Sequence, residues 1–193
     1  MAEIRTVKKE LREKYVAERK NMPAELRNTY DAKIHDRICA SITYRHSTEI
    51  LLYASMNSEI DTWKLFDTAL KSGKKVAFPK TFEDNTMKYY YCSSKEDLEL
   101  CENGIYEPKS GLDEYVPSQQ SICIVPAVVF DKEGYRIGYG KGFYDRFLSS
   151  FTGVKVGLVY SNMILPRVPR GRFDKHVDII ISERGVVAVN APR

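Results

Sequence analysis

The stretch SICIVPAVVFDKEGYRIGYGKGFYDRF, residues Ser121–Phe147, joins an apolar run to a glycine-rich segment and then to a helix-like segment. A continuous apolar run is typical of a strand buried on both faces, as in a parallel sheet. Glycine lets a ligand approach the main chain closely, and here it recurs at alternate positions, Gly138, Gly140 and Gly142. The order of strand, glycine loop and helix predicts an α/β protein with a ligand-binding loop.

Apolar strands and amphipathic helices alternate along the rest of the chain. Apolar residues at three- and four-residue steps predict a first helix over residues 4–20. Further strands are predicted at EILLYAS, KKVAFPK, MKYYYC and VKVGLVY, and VDIIISERGVVAV predicts two strands around a turn at Arg184–Gly185. We expect one α/β domain over residues 1–193, with a largely parallel sheet and helices on both faces. We expect it to be a monomer.

Two shorter patterns give local predictions. In SSKEDLELC, residues 93–101, Ser93 is followed three residues later by Glu96, which predicts a capping box and a short helix. The run SICIVPAVVF, residues 121–130, predicts a single strand.

The composition excludes several classes of protein. The 193 residues carry a net charge of only +4, which argues against a dedicated nucleic-acid binder. No apolar run approaches the length of a membrane span, and acids among the first twenty residues argue against a signal or transit peptide. The expected compartment is the cytoplasm. The cysteines and histidines lack C-x-x-C and H-E-x-x-H spacing, so we expect reduced thiols and no zinc site.

The glycine segment has the chemistry of an anion site. Successive backbone N–H groups can line an anion-binding hollow, and a following helix N-terminus adds partial positive charge. Arg136 offers a planar fork for phosphate oxygens, and Lys141 offers a mobile positive charge. Asp145 follows at a place where a carboxylate could hold Mg²⁺ beside a phosphate. The segment therefore predicts a phosphate cradle.

Two common phosphate-binding motifs do not fit its spacing. A P-loop reads G-x-x-x-x-G-K-[ST], whereas five residues separate Gly134 from Gly140 here, and Gly142 stands in place of the hydroxyl residue. A dinucleotide-binding fingerprint reads G-x-G-x-x-G, and this chain has G-x-G-x-G instead.

The run from Arg136 to Asp145 resembles R-[LI]-G-x-G-x-G-[YF]-Y-D, the signature of the 5-formyltetrahydrofolate cyclo-ligases, also called methenyltetrahydrofolate synthetases. Three further segments match that family in order: KKELR (Lys8–Arg12), YASMNSEIDT (Tyr53–Thr62) and DKHVDIIISERG (residues 174–185). The resemblance implies an α/β fold related to sugar-phosphate isomerases and CoA transferases. It also implies a reaction in which ATP and Mg²⁺ convert 5-formyltetrahydrofolate into 5,10-methenyltetrahydrofolate, ADP and phosphate.

The resemblance further implies how ATP would be held. Arg136 and Lys141 would be the catalytic residues that clamp the phosphates, with Lys141 nearest the transferred phosphoryl group. The full set of ATP-binding residues that it implies is Lys8, Lys9, Arg12, Arg136, Gly138, Tyr139, Gly140, Lys141, Gly142, Phe143 and Tyr144.

The remaining implied roles concern the metal and the folate. Mg²⁺ would be held by Asp145 and Asp178. The substrate, with or without a polyglutamate tail, would be bound by Glu59, while Met56 and Tyr53 would form an apolar wall. We expect small-molecule partners alone, with no nucleic acid and no membrane.

The chain departs from the family pattern in two places, and other functions stay open. Tyr139 stands where some members have arginine, and the loop CENGIYEPKSG matches only loosely. One alternative is a sugar-phosphate isomerase or deaminase that uses the glycine loop for a substrate phosphate. The other is a nucleotide-binding module without catalysis.

Overall fold

The structure, a computed structural model, describes residues 2–102 and 104–189. Its helices are α1 (Ala2–Lys20), α2 (Ala24–Ala40), α3 (Ile42–His46), α4 (Trp63–Lys71) and α5 (Phe143–Leu148). Its strands are β1 (Glu49–Leu51), β2 (Lys75–Thr81), β3 (Met87–Tyr91), β4 (Leu98–Leu100), β5 (Tyr106–Pro108), β6 (Ser121–Val125), β7 (Val129–Asp131), β8 (Arg136–Ile137), β9 (Val154–Leu158), β10 (Ile164–Leu165), β11 (Ile179–Ile181) and β12 (Val186–Ala188).

A seven-stranded sheet in the order β12-β11-β9-β6-β1-β2-β3 forms the centre of the molecule. The five inner strands run parallel, and the edge strands β3 and β12 pair antiparallel with their neighbours. All five residues of β6 are buried, as expected for a strand covered on both faces. The predicted single α/β domain with a largely parallel sheet is confirmed.

Aromatic and aliphatic side chains from the helices pack on this sheet in one core. Phe66 of α4 meets Phe78 of β2 edge to face at 5.2 Å, and Trp63 stacks on the same Phe78 ring at 5.7 Å. Ile34 and Ile38 of α2 are also buried. The amphipathic pattern of the helices thus becomes a covering layer for the strands.

A smaller sheet carries the glycine loop. Its strand β7 pairs antiparallel with β8 and parallel with β10. Because β8 ends at Ile137, the chain passes directly from this sheet into Gly138. The hairpin β4–β5 forms a further two-stranded sheet.

Two local predictions were wrong and one is confirmed. SICIVPAVVF is divided into β6 and β7, which lie in different sheets, because Pro126 lacks the N–H that a continuing strand would donate. SSKEDLELC holds only a 3₁₀ turn over Lys95–Asp97 before β4, and the capping box joins Ser94 to Asp97 rather than Ser93 to Glu96. The strands around Arg184–Gly185 are present as β11 and β12.

Within the described ranges, no helix is both long enough and apolar enough to cross a membrane. The four cysteines are free thiols, and Cys92 and Cys123 are buried.

Candidate functional site

The first helix lies directly against the glycine loop. Arg12 Nε donates to the Gly138 carbonyl oxygen at 2.7 Å. A Cβ added at Gly140 would lie 3.0 Å from Arg12 Nη2, and Gly140 has a φ of +96°. Both the space and the backbone conformation therefore require glycine at this position.

Lys8 and Arg12 share one face of α1, and Lys9 lies on another. Lys8 Nζ forms an ion pair with Asp174, and its side chain is only 19% exposed. Lys9 is 71% exposed and faces Glu13 at 3.9 Å on its own helix. Because residues four apart lie on the same helix face, the structure brings Lys8 and Arg12 to the glycine loop region and leaves Lys9 outside it.

Arg136 and Asp145 are held together beneath the loop. Arg136 Nη2 lies 2.9 Å from Asp145 Oδ1, and Arg136 Nη1 donates to the Lys175 carbonyl oxygen at 2.7 Å. The Lys175 N–H donates to the same Asp145 oxygen at 3.0 Å. With a side chain only 5% exposed, Arg136 is engaged inside the protein, where it orients Asp145.

Lys141 has the opposite surroundings. Its side chain is exposed, and its ammonium makes no ion pair within the described part of the chain. The backbone around it is anchored, because Arg146 donates to the carbonyl oxygens of Lys141 at 2.8 Å and Asn85 at 2.7 Å. A mobile cation is thus carried on a fixed loop.

The helix that follows the glycine loop is short, so its N-terminus adds little partial positive charge to the anion site. Gly142 is its N-cap with a φ of +73°, and α5 contains only six residues, Phe143–Leu148. A helix dipole grows with the number of aligned peptides, so the charge at this end comes mainly from side chains. Phe143 packs against the Arg146 guanidinium at 5.6 Å, and the Tyr144 hydroxyl meets Tyr89 Oη at 3.4 Å.

The two predicted metal ligands lie in different environments. Asp178 precedes β11, where it accepts from the Lys155 N–H at 2.8 Å and faces Lys155 Nζ at 3.4 Å. Asp174, which the sequence reading left without a role, adjoins Lys175, the residue whose N–H binds Asp145. Asp174 itself accepts from Lys8 and from the Gly171 N–H at 2.7 Å, whereas Asp178 is tied to a lysine on β9.

A magnesium ion suits Asp145, and Asp174 adjoins Lys175, whose N–H binds that carboxylate. The side chains of Asp145 and Asp174 are 25% and 20% exposed, so neither carboxylate is sealed from a ligand. Over residues 2–102 and 104–189, no group of three histidine, cysteine or acidic side chains could enclose a metal. Mg²⁺ is commonly held by one or two carboxylates together with substrate phosphates, and this donor set suits that arrangement.

Glu59 lies in a tight turn beyond the end of β1. Its N–H donates to the Met56 carbonyl oxygen at 2.9 Å, and its Oε2 accepts from the Met56 N–H at 3.0 Å. The turn passes through Asn57, which has a φ of 51° and a residue type that tolerates it. Burial raises the pKa of Glu59, and hydrogen bonds from Met56 and Tyr139 with the charge of Arg19 offset part of this rise.

Tyr53 and Met56 take different places around that turn. Tyr53 is 6% exposed, and its hydroxyl donates to the Ile60 carbonyl oxygen at 3.1 Å. Tyr53 therefore supports the turn from inside the protein. Met56 is half-buried, and its methyl group lies 3.9 Å from where a Cβ at Gly104 would be. It borders the β4–β5 hairpin.

Arg19 and Tyr139 connect the two sides of the site, and sequence reasoning missed this connection. Arg19 is 4% exposed, and its Nη2 donates to the Tyr139 hydroxyl at 2.8 Å. Its other nitrogens donate to the Ala127 carbonyl oxygen at 3.1 Å and to Ser58 Oγ at 3.4 Å. One signal was available: Arg19 continues the four-residue spacing of the buried stripe of α1.

Comparisons with known proteins identify the family of this chain. Residues 4–183 match the family model described as the 5-formyltetrahydrofolate cyclo-ligase family. A Schizosaccharomyces pombe protein named probable 5-formyltetrahydrofolate cyclo-ligase is 30% identical over 75% of this chain and 79% of its own. The mouse 5-formyltetrahydrofolate cyclo-ligase is 27% identical over 93% of this chain and 95% of its own.

A solved structure leads to the same family. The NMR structure of Aquifex aeolicus 5,10-methenyltetrahydrofolate synthetase has a TM-score of 0.83 and 34% identity, and the similarity covers 97% of this chain and 95% of that one. On the match to the family model and on these relatives, the chain belongs to the 5-formyltetrahydrofolate cyclo-ligase family.

Proposed function

We propose that this protein converts 5-formyltetrahydrofolate into 5,10-methenyltetrahydrofolate, with ATP cleaved to ADP and phosphate. The observation that carries the proposal is the contact of α1 with the glycine loop, where Arg12 donates to the Gly138 carbonyl oxygen, in a chain of this family. Lys8 on the same helix face pairs with Asp174, and Arg136 pairs with Asp145. Cations, a glycine backbone and carboxylates on one surface are what a nucleoside triphosphate with Mg²⁺ requires.

The reaction needs a phosphoryl transfer because a formamide is a poor electrophile. Its nitrogen lone pair delocalises into the carbonyl group. Attack of the formyl oxygen on the γ-phosphorus breaks the bond to the β-phosphate oxygen and releases ADP. N10 of the folate then attacks the activated carbon, the phosphate departs with its oxygen, and N10 loses its proton as the ring closes.

The protein's part in the phosphoryl transfer is to position the reactants and to compensate charge. Lys141 is exposed on an anchored loop, so its ammonium can follow the γ-phosphate during transfer. Arg12 holds the loop backbone at Gly138. Lys8, now paired with Asp174, would exchange part of that pairing for a phosphate oxygen.

The residues that would hold Mg²⁺ are Asp145 and Asp178, and Asp174, which adjoins the Asp145 partner Lys175, is a further candidate. Bound there, the ion would neutralise phosphate charge. Arg136 keeps one Asp145 oxygen occupied at 2.9 Å, which orients the carboxylate. We assign Arg136 this positioning role beside the catalytic role that the resemblance implies.

The folate would bind at the turn that contains Glu59. A half-buried carboxylate is a strong acceptor for pterin N–H groups, and Met56 offers an apolar surface beside it. We include in the proposal that the substrate can carry a polyglutamate tail and that the protein acts in the cytoplasm as a monomer.

The alternatives have less support from the site. A sugar-phosphate isomerase or deaminase needs an acid–base group near its phosphate loop, and the histidine nearest in sequence, His176, is turned toward Tyr135 and the Val177 carbonyl oxygen. A nucleotide-binding module without catalysis leaves the half-buried carboxylate of Glu59 without a purpose.

The test is the appearance of the methenyl chromophore from 5-formyltetrahydrofolate on addition of Mg²⁺ and ATP. We expect turnover that stops when EDTA removes the metal and returns when excess Mg²⁺ is added. ATP cleavage without chromophore formation would support an alternative instead. No change with either substrate would refute the proposal.

A further inference from the structure

Arg19 is a buried cation in a position that packing alone does not explain. It lies on α1 among apolar neighbours and is 4% exposed. A buried charge is costly unless its donors are satisfied, and an apolar side chain of similar volume often gives equal or greater stability. All three guanidinium nitrogens of Arg19 have acceptors. This arrangement suggests a role in the site itself.

Tyr139 belongs to the glycine loop but directs its hydroxyl away from it. The residue is 58% exposed, yet its hydroxyl accepts a hydrogen bond from Arg19 at 2.8 Å. Arg19 and Glu59 line the same cavity, and Tyr139 is near enough to Glu59 to lower the pKa of its carboxyl group. Because a phenol can accept from one group while it donates to another, the Tyr139 hydroxyl can link Arg19 to Glu59, which form no direct ion pair within 4.0 Å in the described ranges.

We propose that Arg19 and Tyr139 are positioning residues that couple folate binding at Glu59 to the conformation of the glycine loop. Each substrate is then bound more tightly when the other is present. This inference rests on the proposed function, since it takes folate and ATP as the two ligands.

The coupling follows from the lone pairs of one carboxylate. Glu59 can accept from the Met56 N–H, from Tyr139 and from a ligand at the same time, because an ionised carboxylate has about four acceptor sites. A folate that engages Glu59 fixes the carboxylate, which fixes the Tyr139 hydroxyl. Tyr139 lies between Gly138 and Gly140, so the backbone facing the phosphates is ordered with it. ATP orders the same backbone from the other side. The ligand that binds first therefore meets the entropy cost of ordering the loop, and the second ligand binds without it.

The measurement is the dissociation constant of a non-hydrolysable ATP analogue with Mg²⁺, determined by calorimetry with and without saturating 5-formyltetrahydrofolate. In the wild type we expect the folate to tighten binding by about tenfold, within the range of ordinary coupling between sites. By thermodynamic reciprocity, the analogue tightens folate binding by the same factor.

Two substitutions remove the bridge in different ways. Tyr139→Phe keeps the ring and removes the hydroxyl, and we expect the ratio of the two dissociation constants to fall to about one. Arg19→Lys keeps the charge, but its compact ammonium lacks the planar fork with which Arg19 spans three separate acceptors, and the same loss is expected. The double variant should lose no more than either single variant, because both residues act in one network.

Tyr91→Phe is the matched control. It removes a phenol-to-carboxylate hydrogen bond of 2.7 Å, from Tyr91 to Glu49 at the opposite end of β1, and should keep the wild-type ratio. A wild-type ratio in Tyr139→Phe, or an equal loss in Tyr91→Phe, would overturn the coupling. Tyr139 is half-exposed, so this variant is expected to fold even where Arg19→Lys does not.

Turnover measured in the same preparations distinguishes failure of the coupling from failure of the proposed function. Wild-type protein that forms methenyl product while Tyr139→Phe retains the full ratio refutes only the coupling. Wild-type protein that binds no folate and forms no product refutes the proposed function, and the coupling with it.

Discussion

At the scale of single residues, Lys141 and Glu59 have opposite relations to solvent. Lys141 is exposed and contributes no buried contact, so its substitution should affect catalysis without affecting folding. We expect Lys141→Ala to lower kcat by about a hundredfold or more, as the loss of one transition-state charge contact does, while the melting temperature stays at the wild-type value. Steady-state chromophore kinetics and calorimetric melting provide the comparison.

Lys132→Ala is the control for Lys141. Lys132 is exposed in the turn that precedes the glycine loop and carries the same charge. Loss of activity in Lys132→Ala as large as that in Lys141→Ala would show that general charge, rather than the position of Lys141, supports the reaction.

Glu59 gives a prediction about pH. Burial raises its folded pKa above the ordinary value of 4.5, so ionisation of this group opposes folding. Its effect on stability is absent below about pH 4.5 and grows as pH rises through the raised folded pKa. We therefore expect the melting temperature of Glu59→Gln, relative to the wild type, to shift upward between pH 4 and pH 8, which thermal melts across that range will measure. A downward shift would contradict the assignment.

The same substitution should weaken folate binding. Because a charged acceptor is lost, we expect the KM for folate to rise by about tenfold or more. The dissociation constant for ATP, measured without folate, should be unchanged. Equal damage to both constants would mean that Glu59 supports the whole site rather than the folate side.

Local sequence could predict which residues bear charge in the site but not which of them meet. The sequence predicts a phosphate clamp at Arg136, and it does not show that this side chain pairs with Asp145. Asp174 and Asp178 lie in one short motif, and only the fold shows that the first pairs with Lys8 and the second with Lys155. The hydroxyl direction of Tyr139 depends on Arg19, which lies 120 residues earlier. Such long-range pairings have no local signature.

At the scale of elements, α1 and the glycine loop form one unit through Arg12. The loop can approach the helix this closely because Gly140 has no Cβ. We expect Gly140→Ala to cost about 1–3 kcal/mol of stability, since alanine at this positive φ is strained and meets Arg12, and to weaken ATP binding. Gly138→Ala has open space and an ordinary φ, so its melting temperature should fall much less. Equal losses in thermal melts would contradict this distinction.

The apolar run is divided at Pro126 into strands of two different sheets, and the sequence pattern did not predict this division. Apolar character identified β6 and β7 correctly as buried, but periodicity does not say to which sheet a buried strand belongs. The missing N–H of proline decides that point, and the smaller sheet that results presents the glycine loop to α1.

At the scale of the whole molecule, a ligand that bridges α1, the glycine loop and the segment around Asp174 should stabilise the fold. With MgATP at about a hundred times its dissociation constant, linkage predicts about 2.7 kcal/mol, which corresponds to a rise in melting temperature of about 5–10 °C for a chain of this size. Thermal scanning will measure it, and ATP with EDTA should give a much smaller rise. An equal rise without metal would exclude a metal-assisted mode of binding.

The α/β class and the largely parallel sheet could be predicted from the sequence because both follow from the alternation of apolar strands and amphipathic helices. The antiparallel pairing of β3 with β2 and the short 3₁₀ turn at Lys95–Asp97 could not, since they depend on strand pairing and on local capping. The sequence pattern thus predicts the layers of helix and sheet, whereas the arrangement of the candidate site depends on tertiary contacts.

The contact between Lys8 and Asp174 spans 166 residues of sequence, and this has a consequence for folding in time. Long-range contacts close late, because their loop entropy must be overcome before they stabilise anything. A chain emerging from the ribosome would complete α1 first, yet that helix has to wait for nearly the entire remaining sequence before its phosphate face is assembled. We expect recovery of nucleotide binding in refolding experiments to lag behind recovery of helical circular dichroism.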